Sequence, residues 1–218
     1  VRTIDGLHGA AIVSREGSVV LEAAGGLADA QSGAPCMPST RFQIASVSKL
    51  FAAVAAMLLV DSGALSVSDP VERWLPEMAK EWRPITLHQL LCHTAGIPHW
   101  HDAPGFDPTQ KIDAHQRLEL FQRAALLSEP GTQWHYSSPG FLVIAEILER
   151  VCRQPYPEFV RERIVGPVGM TATTLGDPGS GGQFARGHRA GQPVSPWDTS
   201  AMPGTGDIYS TVEDLARF

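Results

Sequence analysis

Eleven consecutive residues, Leu50 to Val60, carry no polar side chain. The run is about half of what a bilayer crossing needs, so no membrane span is expected, yet it makes three turns of helix. A helix with no face fit for water is a buried helix, and this one is predicted to pass through the centre of the molecule. Asp61-Ser62-Gly63 closes it, with Gly63 as the C-terminal stop. The rest of the chain must cover it. Of the 218 residues 43% are hydrophobic, so there is apolar surface enough to do so. Acidic side chains outnumber basic ones by 23 to 17. Nucleic acid is therefore not expected as a partner, because phosphate binding wants a basic face.

The flanking sequence reads as short elements separated by Gly and Pro. Ala10–Val13 and Val19–Leu21 are β-friendly runs joined by Arg15-Glu16-Gly17, a hairpin pattern. Asp69-Pro70 predicts an N-cap with proline at the first helical position. Thr86 with Gln89 is a capping box before Leu90 and Leu91. A helix is expected from about His115 to Leu127. Ser138-Pro139 opens an amphipathic helix, with Phe141, Ile144, Ala145, Leu148, Val151 and Cys152 on one stripe and Glu146, Glu149, Arg150 and Arg153 opposite. A short helix follows from Pro157 to about Val165, then a loop-like region from Gly176 to Gly206. Ser210 with Glu213 forms a second capping box, leading to Phe218. No internal repeat or linker divides the chain, so residues 1–218 are read as one domain. Within it, 1–45 form a hairpin and loop, and 46–218 a mostly helical region. Cys36, Cys92 and Cys152 are far apart and form no C-x-x-C, so they read as small apolar core residues.

Ser46-Val47-Ser48-Lys49 stands at the entrance to the buried helix, and there are only three lysines against fourteen arginines. Positions three apart on a helix share a face, so the Ser46 hydroxyl and the Lys49 amine can meet. Burial disfavours an ammonium, and a lysine so shifted can help take the serine proton. Without such chemistry, Ser46 would serve as an N-cap and Lys49 would carry its charge to the surface along its stem. His99-Trp100-His101-Asp102 also invites a zinc reading, but no third ligand follows at a recognisable spacing; substrate-entrance histidines are the favoured account.

Phe42-Gln43-Ile44-Ala45-Ser46-Val47-Ser48-Lys49-Leu50 resembles the first motif of the serine β-lactamase and penicillin-binding-protein superfamily, in the branch of class C β-lactamases, D,D-carboxypeptidases and esterases. Later stretches agree in order. Leu90-Leu91-Cys92-His93-Thr94-Ala95-Gly96-Ile97 is similar to the branch's helix-ending signature. Glu129-Pro130-Gly131 and Tyr136-Ser137-Ser138 are similar to its second-motif region, Gly166–Met170 to its P-L-G-M segment, and Tyr209–Phe218 to its Y-S-T helix. The resemblance implies an α/β fold of the β-lactamase/transpeptidase type, an antiparallel sheet flanked by helices plus a mostly helical region. It implies Ser46 as the acylated nucleophile, Lys49 and Tyr136 as proton-transfer partners, and Ser138 as a substrate-side polar residue. No cofactor and no metal is implied, and the partner is a small-molecule or peptide acyl substrate.

The sequence departs from the pattern twice. Ser138 stands where asparagine is common; serine occurs chiefly in esterase-like relatives, which weighs against strong β-lactamase activity. The third motif, Lys/His-Ser/Thr-Gly on a strand, is absent from the sequence. The expectation is thus a chain cut before that motif, its sheet incomplete and needing a further segment or another chain. The competing expectation is a non-catalytic peptide- or acyl-binding protein or an inactive fragment of the fold, and a weaker one is a zinc hydrolase on His99 and His101.

Overall fold

The computed structural model describes residues 6–102, 107, 109–110, 112–176, 178, 183–194, 197–199 and 202–218. Nine strands occur among them, in four small antiparallel groups. β1 (Gly9–Arg15) and β2 (Ser18–Gly25) form the predicted hairpin, with Arg15 opposite Ser18 and a two-residue turn at Glu16-Gly17. β3 (Leu27–Asp29) pairs with β4 (Ala34–Pro35). β5 (Phe42–Gln43), β6 (Thr174–Leu175) and β9 (Ile208–Ser210) make a three-stranded sheet with β9 in the middle. β7 (His188–Arg189) and β8 (Gln192–Pro193) form a ribbon inside the stretch that reads as loop in sequence.

The helices are α1 (Ser48–Asp61), α2 (Leu87–Leu91), α3 (Ala114–Phe121), α4 (Pro139–Cys152), α5 (Tyr156–Val160) and α6 (Val212–Leu215). A 3₁₀ turn, Ala45–Val47, leads into α1, and a π-helical turn, Arg161–Val165, follows α5. Overall the architecture is α/β, as expected. One large apolar cluster runs from Phe51 to Ile208 and holds both α1 and α4.

The most buried helix is α4, not α1. Residues Phe141 to Ala145, Ile147 and Leu148 are all buried, so the first two turns of α4 are apolar on every side and the charged face begins at Glu146, half-way along. On α1, Phe51, Ala52, Ala55, Ala56 and Leu59 face the core, while Leu50, Val54 and Met57 are exposed, Leu50 at 56%. The expectation of a helix buried on all sides is corrected accordingly. Hydrophobicity alone does not rank faces; here the alanine face wins because small side chains let other backbone come close. At Gly204 an added Cβ would lie 3.3 Å from the Ala52 Cβ and 3.3 Å from the Phe141 carbonyl, and φ is +71°. A side chain there would be both crowded and strained, which favours glycine. The 204–207 turn is thereby seated between α1 and α4, beneath the start of α1.

Local signals fared unevenly. The Thr86/Gln89 box is formed in both directions, the Thr86 hydroxyl accepting the Gln89 N–H and the Gln89 side chain accepting the Thr86 N–H. The third helix is shorter than expected and starts with its own box, Asp113 with Gln116. Asp69 does not cap a helix; its buried carboxylate accepts the Ser66 N–H and pairs with Arg73, and only a 3₁₀ turn follows at Val71–Arg73. The final cap is Thr211 with Asp214 rather than Ser210 with Glu213, because pairing with Phe42 keeps Ser210 extended in β9. Of the cysteines only Cys36 is buried; Cys92 is exposed, Cys152 is half-buried, and all three are free thiols.

Candidate active site

Ser46 sits in the 3₁₀ turn at the N-terminal end of α1, exposed to solvent, after Ala45 in a left-handed conformation (φ +47°). Lys49, one turn on, is 6% exposed. Its Nζ donates to Ser46 Oγ (3.2 Å), to Ser138 Oγ (3.0 Å) and to the Thr205 carbonyl (3.1 Å). The Tyr136 hydroxyl donates to the same Ser46 Oγ at 2.7 Å. All four residues singled out from the sequence therefore lie in one hydrogen-bonded cluster. The Lys49 stem does not run outward; three neutral acceptors hold its amine inside, over the Tyr136 ring at 5.0 Å and the Phe141 ring at 5.6 Å.

Burial pushes the Lys49 pKa down, with Tyr136 and Asp207 pulling the other way. Tyr136 is half-buried. Burial alone would raise its phenol, but hydrogen bonding and charge from Lys49, with the Ser46 hydrogen bond, outweigh it and leave the pKa below the usual phenol value. Both groups are moved toward the range where they exchange protons near neutrality.

Ser138 stands at the N-cap position of α4, yet its side chain makes no cap bond and its backbone is helical (φ −77°, ψ −37°). The cap is supplied by its neighbour: Ser137 Oγ accepts the Gly140 N–H at 3.1 Å. The Ser138 hydroxyl is thus left to Lys49. Adjacent serines thus divide the labour, Ser137 capping α4 and Ser138 serving the site.

Four residues near the cluster escaped the sequence reading. Thr205 contributes only its backbone carbonyl, which no side-chain pattern reveals. Ser48 Oγ accepts the Ile208 N–H at 3.3 Å and ties α1 to β9. Asp207 is 1% exposed; its Oδ1 accepts the Gly204 N–H at 3.0 Å, and its Oδ2 has no hydrogen-bond partner among the described residues. Burial pushes its pKa up to about 7, against hydrogen bonds and the Lys49 charge. His93 lies against the Tyr136 ring with centroids 4.6 Å apart. Its signal was present in His93-Thr94-Ala95-Gly96, but the motif gives no hint of what the ring does.

A cleft of about 250 Å³ opens beside Ser46, lined by Gln43, His99, Trp197, Ser138 and Thr205 among others. His99 belongs to this wall, in line with a place near a substrate entrance. Its Nδ1 accepts the Ser138 N–H, and no group of three His, Cys, Asp or Glu side chains that could hold a metal ion occurs among the described residues. No helix among them is long and apolar enough to cross a membrane.

Comparison with known proteins shows the family and the fold. The family model described as beta-lactamase matches residues 2–218. The esterase EstB of Burkholderia gladioli is 35% identical over 176 residues, covering 73% of this chain and 45% of the esterase. The D-alanyl-D-alanine-carboxypeptidase/endopeptidase AmpH of Escherichia coli K12 is 30% identical over 185 residues, covering 81% of this chain and 47% of that protein. Among solved structures, the octameric penicillin-binding protein homologue from Pyrococcus abyssi superposes with a TM-score of 0.82 at 26% identity, over 95% of this chain and 50% of that one. The chain spans about half the length of the curated relatives it matches.

Proposed function

The chain belongs to the beta-lactamase family, and from that premise we propose that it is a serine acyl hydrolase in which Ser46 attacks the carbonyl of an ester, amide or lactam. Tyr136, as phenolate, takes the Ser46 proton along their 2.7 Å contact and returns it to the departing group. Lys49 favours the phenolate by its charge and holds Ser46 and Ser138 in register. Collapse of the tetrahedral species leaves the acyl group on Ser46. A water molecule, deprotonated by the same base, then attacks the acyl carbonyl, releasing the acid and restoring the Ser46 hydroxyl. The Ser46 N–H, in the turn that leads into α1, is one donor to the developing oxyanion. Ser138 reaches the cleft wall and touches the substrate side of the site.

The observation that carries this proposal is the shared Ser46 hydroxyl, approached at once by a desolvated lysine and a tyrosine whose pKa is lowered. A serine kept only for capping needs neither. The relatives named as esterase and carboxypeptidase add support for acyl chemistry. A fluorophosphonate probe and an activated aryl ester test it. We expect one probe per chain, on Ser46 by mass spectrometry, and loss of both labelling and ester turnover in Ser46→Ala. Labelling of Ser46→Ala at the parent rate would overturn the assignment, and a parent chain that neither labels nor turns over would favour the binding-protein alternative.

A further inference from the structure

Two imidazoles grip the backbone immediately after Tyr136. His93 Nδ1 accepts the Ser137 N–H at 3.1 Å, and His99 Nδ1 accepts the Ser138 N–H at 3.2 Å. They belong to one template strip. The His93 carbonyl accepts the His135 N–H at 2.8 Å, the Thr94 carbonyl the Gly131 N–H at 2.7 Å, and the Gly96 carbonyl the Leu127 N–H at 2.8 Å. Residues 93–99 thus carry the segment from Leu127 to Ser138 along their length. The strip itself depends on unusual backbone. His93 has φ +58°, and Gly96 has φ +75° with room for no side chain, since an added Cβ would lie 2.3 Å from the Ser128 carbonyl oxygen. A β-carbon-bearing residue rarely adopts φ near +60° unless its surroundings hold it there.

An imidazole nitrogen that accepts a hydrogen bond carries no proton. With Nδ1 occupied as acceptor, each ring must be neutral, with its hydrogen on Nε2. Their surroundings favour that form. Burial and the Lys49 charge lower His93. Burial, then His101 and Lys49, lower His99 to about 4, with Asp102 opposing and His93 adding a smaller push in the same direction. The rings of Tyr136 and Phe141 pack against His93, and Tyr136 also meets the His99 ring edge-on at 5.3 Å.

We propose that His93 and His99 are positioning residues for the acyl-transfer site. Acting as neutral Nε2–H tautomers, they fix Tyr136 and Ser138 where the first reaches Ser46 and the second reaches Lys49. The proposal rests on the reading of Ser46 and Tyr136 as reacting groups. Neither histidine touches the reacting atoms; each acts through a backbone N–H. Since a misplacement of about 1 Å can cost on the order of 10²-fold in rate, the loss of either acceptor should be visible in turnover, and for His93, which does not line the cleft, substrate binding should be nearly unchanged.

Two measurements test this. First, long-range ¹⁵N–¹H spectra of the unsubstituted protein at pH 7 should show an unprotonated Nδ1 on both rings; a protonated Nδ1 on either overturns the proposal for that ring. This readout needs no turnover, so it stands even if Ser46→Ala proves Ser46 not to be the nucleophile. Second, asparagine sets its Oδ1 close to the place of Nδ1, whereas glutamine sets its oxygen near Nε2 and leucine has no acceptor. We expect His93→Leu, His99→Leu and His99→Gln to lower kcat by roughly 10- to 100-fold, with KM within about threefold for His93→Leu, whose ring is not among those lining the cleft, and His93→Asn and His99→Asn to recover most of the loss. Leucine variants within twofold of the parent, or asparagine variants as slow as leucine ones, would overturn it. A variant that fails to melt cooperatively is set aside, and the spectra and the asparagine pair decide.

Discussion

Asp207→Asn is the perturbation whose consequences can be worked furthest from the structure. The carboxyl is fully buried, with one oxygen accepting the Gly204 N–H and the other unpartnered, and burial pushes its pKa from 3.8 up to about 7. In the unfolded chain it titrates near its ordinary value. Between pH 3.8 and 7 the folded state therefore holds a proton that the unfolded state has released. Stability contributed by this group is full below pH 3.8, declines as the pH rises, and is lost above 7. The shift of about 3 units corresponds to about 4 kcal/mol, a large share of the 5–15 kcal/mol typical of a domain. Asparagine keeps the acceptor for Gly204 and has no charge to lose. It adds an amide NH₂ where Oδ2 has no partner, which costs roughly 1–3 kcal/mol. Asp207→Asn should thus be less stable than the parent at pH 4 and more stable, by about 1–3 kcal/mol, at pH 8. Urea unfolding of both proteins at half-unit intervals from pH 4 to 8.5 measures this. The difference between the two curves isolates Asp207 with its coupling to Lys49, because contributions from His93 and His99 are largely common to both. A difference that does not change sign or grow with pH would refute the reasoning.

Four further outcomes are expected. Tyr136→Phe should lower acylation by roughly 10²–10⁴-fold, the usual range for a lost proton-transfer group, at unchanged melting temperature; a loss under tenfold in pre-steady-state acylation would remove Tyr136 from the mechanism. Ser138→Ala deletes one of three acceptors of the Lys49 amine and should slow acylation by about 10- to 100-fold, the equivalent of a charge-assisted bond of about 1.5–3 kcal/mol, which single-turnover kinetics would show. Gly96→Ala places a methyl 2.3 Å from the Ser128 oxygen at φ +75° and should cost well over 1 kcal/mol in urea unfolding. His99 titrates in the opposite sense to Asp207: its folded pKa of about 4 lies below the ordinary 6.5, so its contribution is full above pH 6.5 and lost as the pH falls toward 4. The nominal 3 kcal/mol is reduced to about 1–2 by partial solvent exposure, and His99→Asn should flatten that acid limb.

How much of this was legible in the sequence depends on the range of each interaction. Ser46 and Lys49 were readable because three residues along a helix fix their separation, and Thr86 with Gln89 because a capping box is complete within four residues. Tyr136 and Ser138 came only through the resemblance, being about ninety residues away in the chain. Where two neighbouring residues compete for one role, the sequence is silent: Ser137 or Ser138 could cap α4, and Ser210 or Thr211 could cap α6. In each case a distant partner decides, Lys49 for Ser138 and Phe42 for Ser210. Asp207 carried no local sign at all, since an acidic residue beside glycine reads as a turn.

The strained and buried groups at the site share a physical character. Ala45 and His93 hold left-handed backbone, Asp207 is a carboxyl with an unpartnered oxygen, and Lys49 is an amine out of water with no carboxylate in contact. Each departs from what a stable fold alone would select, by about 1–3 kcal/mol for strained backbone and by comparable amounts for buried polar groups. The choice of partners for Lys49 explains why the cost is carried. A carboxylate in direct contact would hold the amine fully protonated, and an apolar site would hold it neutral. Two hydroxyls and a carbonyl solvate either form, so the proton can move to or from Tyr136 and Ser46 without rearrangement of the cluster. Asp207 acts at one remove, its charge opposing the effect of burial on the lysine. The packed helices α1 and α4 supply the surplus that keeps these conflicting groups together, and the neutral imidazoles of His93 and His99 hold the one segment, Tyr136 to Ser138, that neither helix could place alone.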